Sequence, residues 1–236
     1  GTFAPAQNYR DITEGRYDKT TNQISKIVFD KFKEIYDKGD KKGEFILTVG
    51  PDDEDIINNQ FEFDLMGALE ITDGEYFVDG GANSGYDDDG EEITPLLSVK
   101  FKIPKNPDLL DWQKISFDIK DVVRHELEHL TQDGLNVKGG VVSDNPKLAR
   151  SSKQMSDDKI VRNSIDIGLL PAADYFLLEK EIDAMLQGLY FKAKKSKRPF
   201  KDVINDYLNI FINNGKITSE EKEEILNLWR KRNKAL

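Results

Sequence analysis

Apolar and polar residues repeat along this chain in two periods. Over residues 20–37, Ile24, Ile27, Val28, Phe32 and Ile35 recur at spacings of three and four, which predicts an amphipathic helix ended by Lys38-Gly39. Residues 44–49 read as a strand closed by Gly50-Pro51, followed by an acidic loop over 51–59. Residues 61–71 fit two patterns: Phe61, Phe63 and Leu65 alternate like a strand, whereas Leu65, Met66 and Leu69 suit a short helix. A strand is expected at 75–79, ended by Gly80-Gly81. The clearest alternation lies at 96–103, with Leu97, Val99, Phe101 and Ile103 on one face and Ser98, Lys100 and Lys102 on the other. Ile115-Ser116-Phe117 reads as a short strand or extended lead into a helix. That helix has Asp118 as its expected N-cap, an apolar stripe of Val123, Leu127 and Leu130, and Gly134 as its stop.

The second half of the chain has the helical period. Residues 135–156 are rich in Gly, Ser and Lys and read as a long loop, and 157–170 show no clear period. Pro171 opens a helix that runs through Tyr175, Phe176, Leu178, Ile182, Met185, Leu186, Leu189 and Tyr190. A further helix spans 199–212 and stops at Asn214-Gly215. Thr218-Ser219-Glu220-Glu221 forms a capping box for the last, over 221–230. Strands followed by helices predict an α+β fold, with a mixed or antiparallel sheet packed on the helix after Asp118. Residues 1–19 read as an N-terminal arm. Residues 20–236 read as one domain, α+β over 20–134 and mainly helical over 135–236.

Composition narrows the function classes. The net charge of −10 argues against nucleic acid and against an anionic membrane surface as partners, since both attract basic proteins. The basic run at 192–198 reads as a solvated helix end, and Asp87-Asp88-Asp89-Gly90 as a solvated loop that lacks the spaced ligands of a calcium hand. The chain has no Cys, so any metal must take imidazole, carboxylate and water. No transmembrane run or secretion signal is visible, which favours the cytoplasm.

The chemistry concentrates in Val122-Val123-Arg124-His125-Glu126-Leu127-Glu128-His129-Leu130. The chain has only two histidines, and both stand in this H-E-x-x-H. Residues four apart on a helix share a face, so both imidazoles can reach one cation while Glu126 acts on the water bound to it. The bland alternative is a surface helix with solvated histidines. Glu128 lies off the His face and reads as a solvated or salt-bridged surface residue. Two imidazoles do not hold a catalytic zinc ion (Zn2+) alone, and with no further His or Cys the third ligand must be a carboxylate. Leu178-Glu179-Lys180-Glu181-Ile182-Asp183-Ala184 offers the candidates. Glu179 and Asp183 share a helical face, which lets Glu179 ligate while Asp183 accepts a hydrogen bond from an imidazole. Glu181 faces elsewhere and is the fallback ligand.

H-E-x-x-H followed by a helix with E-x-x-x-D resembles the zincin metallopeptidases of the gluzincin type. That resemblance implies a zincin-like fold, zinc held by His125, His129 and Glu179, support from Asp183, and Glu126 as general base. It also implies a strand above the motif helix that pairs with an extended peptide; 96–103 or 115–117 would serve. The resemblance covers the two helices alone. The HELEH helix also resembles helices of phage-encoded proteins. The expected activity is zinc-dependent hydrolysis of a protein or peptide substrate. The oxyanion donor comes from Tyr175, Tyr190, Tyr86 and Arg124, with Tyr175 as the choice. The competing expectations are a non-catalytic zincin-fold structural or binding protein, and a helix that binds no metal.

Overall fold

The computed structural model describes residues 18–50, 62–83, 94–132, 135–137, 140–142, 161–233 and 236. The described residues fall into two compact units, one over 18–142 and one over 161–236. The expectations for 1–17, for the acidic loops at 51–59 and 84–92, for Gly134 and for most of 135–156 lie outside the described residues.

In the N-terminal unit, helix α1 (Asp18–Lys38) buries Ile24, Val28 and Phe32, one stripe at helical spacing. Four strands follow: β1 (Lys42–Val49), β2 (Phe63–Thr72), β3 (Phe77–Asn83) and β4 (Leu96–Pro104). They form one mixed sheet in the order β1-β2-β4-β3. The β1/β2 and β3/β4 pairs are antiparallel and the β2/β4 pair is parallel. Residues 63–72 resolve as a strand because Phe63, Leu65 and Leu69 alternate into the core. Gly67 sits in the same row, and the Phe45 ring from β1 fills the space where a Cβ would stand.

Helix α2 (Trp112–Gln132) buries Ile115, Ile119, Val123, Leu127 and Leu130. This stripe packs on α1 and on β3 and β4, and its residues join those of α1 and the sheet in one core with Phe32, Leu97, Val99 and Phe101. The helix starts earlier than its sequence suggests. Asp111 is the cap, its Oδ1 accepting from the backbone N–H groups of Gln113 (3.0 Å) and Lys114 (3.1 Å). Ile115, Ser116 and Phe117 are therefore helical. Asp118 stands inside the helix and accepts from the Tyr76 hydroxyl instead. Residues 96–103 form a central strand, flanked by β2 and β3, so among the described residues β3 is the sheet edge beside α2. Gly80 and Gly81 lie within β3 rather than ending it. A two-stranded ribbon, β5 (Leu135–Val137) with β6 (Gly140–Val142), follows α2 where a loop is expected.

The C-terminal unit begins with a helical segment at 161–166 and a 3-10 turn at Ala172–Leu177. It continues through α3 (Glu179–Ser196), α4 (Phe200–Asn213) and α5 (Ser219–Arg232). The helix expected from Pro171 onward is broken at Leu178, whose backbone is extended. The break lets Phe176 turn into the core, where its ring meets Phe211 and its carbonyl accepts from the buried Trp229 indole (2.9 Å). Ile182, Met185, Leu186 and Leu189 from α3 pack in the same core with Val203, Ile204, Leu208, Ile225 and Leu226. The capping box of Thr218 and Glu221 is present at the start of α5.

Candidate metal centre

His125 and His129 lie on α2 beside its buried stripe, so the packing that fixes the helix also fixes the imidazoles. Their Nε2 atoms stand 3.0 Å apart, with ring centroids at 4.7 Å. Two imidazole nitrogens this close either share one proton between them or direct two lone pairs at one cation. His129 is buried and His125 is nearly so. Glu126 is buried beside them, with Oε1 3.9 Å from His125 Nε2. Its carboxylate rests against the β3 backbone at Gly80, where an added Cβ would stand 2.7 Å from Oε1 and 2.6 Å from Val122 Cγ1.

Glu181 stands in the first turn of α3, where the helix dipole favours a carboxylate. It is 1% exposed. Its Oε2 accepts from the Tyr175 hydroxyl at 2.9 Å, and its Oε1 lies 3.5 Å from Nη1 of Arg162. Among the described residues, one group of His, Asp and Glu side chains could hold a metal ion: His125, His129 and Glu181, whose ligand atoms all lie within 4.8 Å of one another. Two imidazoles and one carboxylate are a donor set that suits a borderline divalent cation and leaves a fourth position for water. Ligand atoms about 2.1 Å from a tetrahedral ion stand roughly 3.4 Å apart, so the imidazole pair is already near that spacing.

The other expected residues are placed as follows. The side chain of Glu179 lies outside the described ones. Asp183 pairs with Arg232 of α5 at 3.1 Å. Tyr190 packs its ring edge-on against Phe200, and Tyr86 lies outside the described residues. Glu128 is not a surface residue. It is fully buried and forms an ion pair with the equally buried Arg124 at 3.0 Å. Arg162 and Gly80 were not singled out from the sequence. No signal marks Arg162, which stands in a stretch without a clear period, whereas the Gly80-Gly81 pair could have been read as a close backbone approach.

No protein-family model, curated protein or solved structure matches this chain. Among the described residues, no helix is long and apolar enough to cross a membrane.

Proposed function

We propose that this chain is a zinc-dependent peptidase of zincin type, with His125, His129 and Glu181 as the metal ligands. The observation that carries the reading is the approach of the two imidazoles to each other and of a Glu181 carboxylate oxygen to both. Glu181 takes the role that the gluzincin resemblance gives to Glu179. Zinc, when bound, would polarise a scissile carbonyl and bring the pKa of a water close to neutrality. Glu126 Oε1 receives the proton of the attacking water and delivers it to the leaving amine nitrogen. Its burial beside His125 supports that role, because a carboxylate shielded from bulk water is held in one place. An extended substrate backbone would run along β3, the sheet edge whose Gly80 touches Glu126.

Purified chain loaded with zinc and offered a diverse peptide library is expected to cleave it, with products read by mass spectrometry. Glu126→Gln is expected to lose about 10²–10⁴-fold in rate while keeping its zinc. A wild type that holds zinc and cleaves nothing would leave a non-catalytic binding protein as the better reading.

A further inference from the structure

We propose that Tyr175 and Arg162 act on the metal through Glu181 with opposite signs. Tyr175 holds the carboxylate in its ligating orientation, and Arg162 is a resident counter-cation that an incoming metal displaces. The inference rests on Glu181 being a metal ligand.

Each carboxylate oxygen has its own neighbour. Oε2 accepts from Tyr175 and Oε1 faces Arg162. Tyr175 sits on the 3-10 turn just before α3, six residues from Glu181, and its ring packs edge-on against Phe176 of the buried core. Its hydroxyl is therefore held by the same packing that starts the helix. A bond to Oε2 from a fixed donor leaves one direction for Oε1 and raises no charge conflict with a cation. The sequence gives Tyr175 to the oxyanion, but the distance to Glu181 argues for a positioning residue.

Arg162 differs in both exposure and charge. Its side chain is 51% exposed, whereas that of Glu181 is 1% exposed. A buried carboxylate without a counter-charge would be costly, so the guanidinium stabilises the ionised form before loading. A divalent ion on two neutral imidazoles and one carboxylate carries a net charge of about +1, which repels that guanidinium. Being half in water already, Arg162 can leave at little cost. The same side chain thus prepares the carboxylate for the metal and opposes the metal once bound.

The test is the zinc dissociation constant, measured by competition with a chromophoric chelator, for wild type, Glu181→Gln, Tyr175→Phe, Arg162→Lys and Arg162→Gln. Thermal melts of the metal-free proteins check that each is folded. Tyr175→Phe is expected to weaken zinc binding about tenfold. Arg162→Gln is expected to tighten it roughly threefold to tenfold, with the gain shrinking in about 1 M salt, and Arg162→Lys to stay near wild type. Equal or weaker binding by Arg162→Gln, or unchanged binding by Tyr175→Phe, overturns the inference. If Glu181→Gln weakens binding while the other variants match wild type, the ligand stands and only this inference falls. If Glu181→Gln binds like wild type, the ligand assignment itself is wrong.

Discussion

The Glu126 carboxylate occupies space that Gly80 leaves open by having no side chain. A methyl group on Gly80 would meet both Val122 and the Glu126 carboxylate at distances that real Cβ atoms do not show. Gly80→Ala should therefore displace the proposed general base and leave the imidazoles alone. The expected outcome is a loss of about tenfold to 10²-fold in kcat/KM, since small misplacements of a catalytic group are costly. Zinc affinity should stay within about twofold. Gly74→Ala, where a Cβ would meet nothing within 4 Å, is the control and should behave as wild type. Full activity in Gly80→Ala would make the contact incidental. The imidazole pair and Glu126 were legible in the sequence because their spacing is itself the geometry. Glu181, the fallback ligand in the sequence, stands within ligand distance of the imidazoles, and a spacing of four on one helix cannot rank it against Glu179. Its Tyr175 partner was likewise invisible, since the helix break at Leu178 brings Tyr175 and Glu181 together.

At the scale of the element, α2 is held by more than its apolar stripe. Arg124 and Glu128 form an ion pair one turn apart, and both side chains are buried. Removing one charge leaves the other buried, so Glu128→Gln should destabilise the fold by about 3–5 kcal/mol, measured by urea unfolding. A loss under about 1 kcal/mol would contradict this. In the sequence Glu128 reads as a surface group because glutamate usually is one. The arginine four residues before it was the available hint. The other end of α2 carries a pH-sensitive contact. Burial first, and then the charge of Asp118, push the Tyr76 phenol well above its usual range. The folded chain keeps that proton while the unfolded chain loses it near pH 10. The contribution of Tyr76 is thus intact below about pH 10 and lost as pH rises beyond it. Tyr76→Phe should flatten the alkaline fall in the urea midpoint between pH 8 and pH 11, and an unchanged fall would contradict this. The helix start is likewise not fixed by residue type. Asp118 and Asp111 are both acceptable caps by residue type, and the buried Ile115 and Ile119 decide for Asp111.

For the whole molecule, the α+β class followed from strands preceding helices in the sequence, and the strand faces followed from their alternation. The order β1-β2-β4-β3 did not, because which strand neighbours which is set by contacts distant in sequence. That order makes β4 a central strand and leaves β3 at the edge beside the candidate base. A ligand that binds only the folded chain stabilises it by mass action, so zinc at about 100 times its dissociation constant should add roughly 2.7 kcal/mol and raise the melting temperature. His129→Ala should abolish that rise, and a persisting rise would place the zinc elsewhere. The most direct measurement is a crystal structure grown with zinc, with anomalous diffraction recorded across the zinc edge. The expected result is one strong anomalous peak bonded to Nε2 of His125, Nε2 of His129 and a carboxylate oxygen of Glu181. A peak bonded to other residues, or imidazoles with no peak between them at saturating zinc, would contradict it.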